Sequence, residues 1–566
     1  MQSIFSRKRT SRGSGLSQNV VRSKARESPA MVQLEKLACG GVLLALGAHF
    51  VLNTDRFVVG AALIAVALLI LASGSRRPLR LPPGPRGIPV LGYLPFLTEM
   101  PHKHMAELAQ KYGPLVHFRL GATPAIIVAS PAMMREVLGA QDQIFSARPP
   151  ALLSSKYFAY TPDELGRSHG CTAAQLGPYF RNVRRLYSTE MVSPKRLNFF
   201  KASRAEEMQI MVSTIWEASH GGRQPVELRR FAFIPMANNI TTYMICHKRY
   251  HGPEQVKEGQ EVQSLINQVT RMLVNVSLAN FFPILRPFTQ FSTEERKMAA
   301  VGKRVDAYLQ SLLDEGRANP LKDESEKTII DVVLGFQRDD GTEIDDRTRK
   351  CLVLEMLLAG TESTATMVEW AMAELLRHPE VLKKLQRELD VVVGTSRFVE
   401  EDDMPNLPYL TAIFHETSRL HPVSPLLFPH ECAQATQIDG YDIPAGARVF
   451  LNTWAMGRDP KTWARPEEFD PERFTDDTNV DHKGKSFKIL PFGAGRRICA
   501  GMPLGYCLVK LALAHIVQSF EWTFPEGMNP KDISIEENFG VALTMQHPLR
   551  SYLLKPRLPL HLYARN

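Results

Sequence analysis

From about Asp346 to Arg377 the chain carries an uninterrupted helical pattern without proline. At 1.5 Å per residue such a helix is roughly 48 Å long, enough to cross a large domain. Its apolar middle, Cys351-Leu-Val-Leu-Glu-Met-Leu-Leu-Ala-Gly360, is broken by Glu355, which favours a protein core over a lipid span. A length of 566 residues would allow roughly three or four domains. Yet no linker, repeat or low-complexity tract interrupts residues 93–566, and the polar stretch Glu315 to Lys327 reads as a surface loop. Apolar residues recur at helical spacing in His102 to Tyr112, Pro131 to Leu138, Pro178 to Thr189, Met404 to Leu420 and Met502 to Phe520. Short β-branched runs, Pro114 to Leu120 and Pro124 to Val128, predict a small sheet near the start. The expected fold is one large, mainly α domain with small β-sheets.

Ahead of that domain the chain changes character. Residues 1–36 form a basic extension, and its first thirty residues hold seven of the Lys and Arg against Glu27 alone. They therefore carry six of the nine net positive charges, which leaves the body too mildly basic to read as a nucleic-acid binder. The extension resembles either a plastid or mitochondrial targeting peptide or the cytosolic tail of an anchor, and Met31 is a second candidate start. Two apolar runs follow within residues 37–74, Leu37 to Leu52 and Phe57 to Ala72. Each is close to the ~17–25 residues that cross a bilayer, so this region reads as a membrane anchor of one span or a hairpin, in contact with lipid. Arg76, Arg77 and Arg80 place the following chain in the cytosol. Residues 75–92 are rich in arginine and proline and read as a stiff hinge.

Seven scattered cysteines without a CxxC pair exclude a disulfide-stapled fold and a zinc ribbon. One of them sits in an unusual setting, Phe492-Gly-Ala-Gly-Arg-Arg-Ile-Cys499-Ala-Gly501. Glycines flank Cys499 where a loop enters a helix, and backbone N–H groups at a helix start favour a thiolate. Gly495 and Gly501 admit a flat ligand close to the backbone, and Arg497 adds a fixed cation. A thiolate with no second ligand nearby suits an iron already held by a porphyrin, whose O–O chemistry that sulfur promotes.

The segment resembles the haem-ligand signature F-x-x-G-x-R-x-C-x-G of the cytochrome P450 family, and the resemblance runs from the anchor to the carboxyl terminus. It implies the cytochrome P450 fold with an N-terminal transmembrane anchor, haem b (iron protoporphyrin IX) on Cys499, and Phe492, Gly495, Arg497 and Gly501 around it. Glu416 and Arg419, three apart on a helix, and Arg473 in Pro-Glu-Arg473-Phe correspond to the family's buried structural ion network. Ala359-Gly-Thr-Glu-Ser-Thr364 resembles the oxygen-activation segment. Glu362 and Ser363 stand as its acid–alcohol pair, with Ser363 where threonine is usual, Thr364 as a substitute hydroxyl, and Gly360 leaving room for dioxygen. Arg184, His430 and Arg497 resemble the propionate partners, while Phe180 stands where tryptophan is common.

No P-loop or dinucleotide fingerprint accompanies these motifs, so electrons are expected from a separate NADPH–cytochrome P450 reductase of the endoplasmic reticulum. Lys483, Lys485, Lys488 and Arg496 offer it a basic face. The motif wording resembles the plant group that oxidises phenylpropanoids, flavonoids and terpenoids, with p-coumaroyl ester hydroxylases and then flavonoid 3'-hydroxylases most similar. The substrate-facing loop Val423 to Phe428 is apolar apart from Ser424, and the cap Tyr160 to Gly177 is unusual in holding His169 and Cys171. Three readings follow: a monooxygenase of a small phenolic or lipophilic metabolite, a haem-thiolate isomerase or dehydratase independent of dioxygen, and a non-catalytic membrane haem or ligand-binding protein.

Overall fold

The long helix, Asp346–Arg377, organises the molecule as its sequence predicts. Asp345 caps its start by accepting the Thr348 N–H at 2.7 Å, and Pro379 follows its end. The computed structural model describes residues 79–566 apart from 150–154, 159–167, 252–255, 275–277, 283–284, 286–288, 290, 322, 325, 477–479, 525, 551–552 and 565–566. The basic extension and the two apolar runs lie outside the described residues. Leu81–Asn566 forms one compact unit.

Within that unit the long helix packs against Ile234–Cys246 on one side and Met502–Ser519 on another. Its residues from Thr364 to Leu376 are all buried, as are those of the cysteine-following helix from Leu508 to Ser519. Among the described residues it is the one helix long and apolar enough to cross a membrane, but most of that stretch is buried in the protein. Glu355 decides the matter in the way the sequence suggests, because its carboxylate has partners in neighbouring segments.

The small sheet has four strands in the order Leu115–Leu120, Thr123–Val128, Arg448–Leu451, His430–Glu431. A tight turn at Gly121, with φ of +59°, closes the first antiparallel hairpin. The central strand pairs in parallel with Arg448–Leu451 and is shielded on both faces, with Ile126, Ile127 and Val128 fully buried. The proline-rich segment is not a free spacer over its second half. Pro83 O accepts the His117 N–H at 3.0 Å, and Gly84 lies so near the His117 carbonyl that a Cβ would stand 1.7 Å from its oxygen.

Other predicted elements shift for local reasons. Met404 to Leu420 is not one helix: a short tight turn, Glu401–Asn406, ends at Leu407, and Pro408–Leu420 starts afresh at its proline. Glu315 to Lys327 is not wholly a loop, since helix Thr293–Ala318 runs into it. Three helices loosen into wide turns at Glu136–Ala140, Tyr187–Met191 and Arg229–Phe233. Such turns recur at functional sites. Here each supplies a group described below: the Leu138 carbonyl, the Tyr187 hydroxyl and the Arg229 guanidinium.

Candidate active site

The Cys499 loop is closed by its own backbone, the Cys499 N–H donating to Phe492 O at 2.8 Å. Gly493 and Gly495 both hold the left-handed conformation, with φ of +70° and +69°. At Gly495 a Cβ would lie 2.4 Å from an Asp142 carboxylate oxygen and 2.7 Å from the Leu138 carbonyl. That carboxylate pins the loop by accepting the Arg496 N–H at 3.1 Å and its guanidinium at 2.6 Å. Phe492 stacks on Phe414, which lies on the helix bearing Glu416, with centroids 6.1 Å apart. The loop is thus fixed to two other segments before it meets any cofactor.

Burial raises the Cys499 thiol, and the amides of Gly501 and Met502 and the charge of Arg184 offset this only in part. The positive charge of a bound iron would favour the thiolate against that burial. Cys499 nevertheless keeps accessible side-chain surface although burial dominates its titration, so that surface opens onto interior space.

Three arginines gather beside this loop. Arg497 donates to Ser146 O at 2.9 Å and Cys171 O at 3.1 Å, and its guanidinium lies 4.2 Å from the Phe180 ring centroid. Phe180 therefore does part of what an indole would do, through a cation–π contact instead of an N–H. Arg148 donates to Thr172 O at 2.8 Å and Pro429 O at 2.9 Å. Burial pushes Arg497 down to about 10 and Arg148 down to about 9, with Arg497's charge adding to the effect on Arg148. Both stay cationic at neutral pH. Arg184 is near enough that its charge adds to the burial that lowers Arg497 and opposes the burial that raises the Cys171 thiol. Among the described residues none of the three forms an ion pair. A cluster of like charges of this kind, with Arg148 buried and Arg184 and Arg497 half-buried, fits a group bearing two carboxylates, as a porphyrin does.

Arg148 carries no signal in the sequence, because a single arginine before two prolines has no periodicity to mark it. His430, expected as a third propionate partner, is buried beside this cluster. Its Nδ1–H donates to Phe145 O at 2.7 Å, leaving Nε2 as an acceptor, and burial followed by the Arg148 charge lowers it to about 3.

On the long helix, Ser363 donates to Ala359 O at 2.6 Å. Ala359 and Ser363 share one face at i, i+4 and keep accessible surface in the middle of a core helix. Thr364, one residue further round, is buried and is not brought to that face. Glu362 is held by Arg229, which also bonds Glu369 at 2.7 Å and Thr366 at 3.3 Å. Glu369 is fully buried, and burial raises its carboxyl. Neither Arg229 nor Glu369 carries a sequence signal linking it to Glu362. The room beside Gly360 is taken by Thr241, whose Oγ1 would lie 2.7 Å from a Cβ there; it serves helix packing rather than a small ligand.

The cap is joined to the long helix by Glu355. Its carboxylate accepts the N–H groups of Cys171 at 2.9 Å and Thr172 at 2.8 Å, and the Tyr187 hydroxyl at 3.3 Å. Carbonyls of the same segment face Arg148 and Arg497, so the loop lies between a buried acid and two cations. Residues 160–167 of the expected cap are outside the described residues.

Glu416, Arg419 and Arg473 lie together in the structure. Glu416 and Arg419 are both fully buried and pair through two bonds of 2.7 Å. Arg419 also donates to Gly457 O and Pro466 O, each at 2.6 Å, and to Glu468 O at 2.9 Å. Asp470 N–H and Arg473 Nε complete the Glu416 shell at 2.7 and 3.3 Å.

A lone thiol at a loop–helix junction, arginines fit for two carboxylates, and a hydroxyl-bearing face on the long core helix fit a haem-thiolate protein. Comparison with known proteins gives the family: the cytochrome P450 model matches residues 82–552, and the chain belongs to it. It is 37% identical over 528 residues to cytochrome P450 703A2 of Arabidopsis thaliana, covering 90% of this chain and all of the relative. Flavonoid 3'-monooxygenase of Arabidopsis thaliana is 35% identical over 492 residues, covering 86% of this chain and 93% of the relative. A zebrafish cytochrome P450 solved with progesterone superposes with a TM-score of 0.65 at 26% identity, covering 81% of this chain and 99% of that one. The chain is accordingly a cytochrome P450 monooxygenase with a thiolate-ligated haem cofactor, and it resembles plant flavonoid hydroxylases.

Proposed function

We propose that the protein hydroxylates a small phenolic or lipophilic specialised metabolite, with electrons delivered by an NADPH–cytochrome P450 reductase at the endoplasmic reticulum membrane. When bound, the haem supplies oxygen activation. The protein's part is to hold its carboxylates with Arg148, Arg184 and Arg497, present Cys499, and place the Ser363 hydroxyl where a proton can be handed on. In this reading Arg229 holds Glu362 as the reserve acid of that hydroxyl.

The observation that carries the substrate class is the wall at 423–428. Leu427 abuts the cysteine loop, its Cδ1 lying 3.9 Å from where a Gly493 Cβ would stand, and Val423, Ser424 and Phe428 keep accessible surface. An apolar wall with one hydroxyl suits a planar or terpenoid skeleton carrying a single polar group. On the opposite side of the loop Lys483 and Lys485 are exposed, as is Arg496, although Asp142 compensates the last. That surface supports docking of an acidic flavoprotein. The apolar runs within 37–74 support membrane anchoring, with the body in the cytosol.

The test is a spectral titration of the haem-loaded protein with p-coumaroyl esters and amides, flavonoids, diterpenes and medium-chain fatty acids. A low-to-high-spin shift confined to the phenolics is expected. A shift confined to diterpenes or fatty acids would overturn the phenolic assignment.

A further inference from the structure

Trp370 is the largest fully buried side chain among the described residues, and it lies outside every motif named above. It stands seven residues after Ser363 on the long helix, two turns along the same face and about 10 Å away. Its ring stacks on the His421 imidazole with centroids 4.1 Å apart and planes 4° from parallel. Its Nε1–H donates to Leu543 O at 2.7 Å.

Both contacts lead to the substrate wall. His421 is the first residue after helix Pro408–Leu420, two residues before Val423, and its Nε2 meets Glu374 of the long helix at 2.7 Å. Leu543 in turn donates its N–H to Val423 O at 2.8 Å. The contacts close a circuit: Trp370 to His421, along the chain to Val423, across to Leu543, and back to Trp370. Leu543 is thereby held through both its N–H and its C=O, by two different segments.

The far end of Leu543's loop is fixed as well. Glu537 accepts from Lys103 at 2.8 Å and from the Trp454 indole at 2.8 Å, and it pairs with His102 at 3.1 Å. The hairpin of Glu537–Asn538 and Thr544–Met545 thus has one anchored base, and at its other end the Leu543 carbonyl is held by Trp370 and the Leu543 N–H by Val423.

We propose that Trp370 is a positioning residue for substrate selection: it fixes how far the 539–543 loop and the 423–428 wall stand from the Ser363 face. It touches neither cofactor nor substrate and acts through Leu543 and His421. This inference deepens the proposed monooxygenase reading, since it assigns the dimension of that same site.

Trp370→Phe keeps a stacked ring and deletes the N–H. Two measurements on the full-length holoprotein decide the matter. The Leu543 amide keeps its bond to Val423 O, but the opening that exposes it no longer has to break the indole bond to the Leu543 carbonyl, so its hydrogen exchange should speed up about five- to tenfold, while the amides around Ser363 keep their protection. Spectral titration should give an unchanged affinity for imidazole, which is small, and at least a fivefold change for 4-phenylimidazole, which reaches the wall. Unchanged exchange at Leu543 overturns the proposal, as does an equal change, or none, for the two imidazoles. A wild-type protein giving no spectrum with imidazole would overturn the haem-thiolate reading instead, and the exchange measurement, which needs no iron, would still decide the role of Trp370. If Trp370→Phe does not accumulate, His421→Gln, which keeps a hydrogen bond to Glu374 but loses the stacked ring, carries the same two measurements.

Discussion

Replacing Glu416 by glutamine tests whether the buried ion network is what keeps the cysteine side of the core in register. Glu416 has no solvent exposure and receives four donors: two from Arg419, one from Arg473 and the Asp470 amide. Glutamine keeps the shape but leaves the Arg419 charge buried without an anion. Uncovering one member of such a pair costs about 3–5 kcal/mol. Against a total stability of about 5–15 kcal/mol that is a large fraction. The three carbonyls that Arg419 binds, on Gly457, Pro466 and Glu468, belong to the segment leading toward the cysteine loop. Haem retention should therefore fall before helix content does. The assay is a urea titration followed by far-ultraviolet circular dichroism, alongside the carbon monoxide difference spectrum per mole of protein. Arg419→Met combined with Glu416→Leu should cost less than the two single changes together, by about 0.5–3 kcal/mol. It should not restore wild-type stability, because the three carbonyls lose their donor. A Glu416→Gln protein within about 1 kcal/mol of wild type, with full haem content, would refute the reasoning.

Cys499→Ala should abolish the thiolate-type carbon monoxide spectrum, and its persistence would remove Cys499 as ligand. Ser363→Ala deletes the hydroxyl bonded to Ala359 O; product per NADPH consumed should fall at least about tenfold, with hydrogen peroxide rising, and unchanged coupling would exclude Ser363 from proton handling. Hydrogen bonds from His102, Lys103 and Trp454 outweigh the burial that would raise the Glu537 carboxyl, and hold it down at about 2. A carboxyl depressed in the folded state stabilises it above the unfolded pKa and loses that contribution as the pH falls. The contribution is about 3 kcal/mol, present above about pH 5 and lost between about pH 5 and 2. Glu537→Gln should flatten the pH dependence of the urea midpoint in that window, and an unchanged slope would refute the assignment.

The parts of this protein written in local spacing are legible in the amino-acid sequence itself. Glu416 and Arg419 sit one helical turn apart, and the long helix announces itself by its length and by the single charge of Glu355 in an apolar run. The Cys499 segment is similarly self-contained, since its glycines, its cysteine and its helix start lie within ten residues. Partnership across the fold is not written locally. Arg229 and Glu362 are 133 residues apart, and Arg148 meets the Pro429 carbonyl across 281. Trp370 and Leu543 are separated by 173. The burial of the Cys499 thiol is hidden for a related reason, because the dipole of a helix start is visible in sequence and the depth of burial is not. The His430 bond to a carbonyl on a segment 285 residues earlier is equally hidden.

The arginine cluster ties the amount of folded protein to a small molecule. Arg148 and Arg497 tie together three segments, around residues 146, 171–172 and 428–429, beside the cysteine loop, and Arg497 repels both Arg148 and Arg184. In the proposed reading bound haem carboxylates would serve these arginines as a shared counterion, and the cofactor would then stabilise the folded chain. By mass action the stability gained grows as RT ln(1 + [L]/Kd), about 2.7 kcal/mol when free haem is a hundredfold above its dissociation constant. A cell short of haem would accumulate less of this protein through turnover of the repelled, open form, and the supply of porphyrin would set its abundance without any regulatory site.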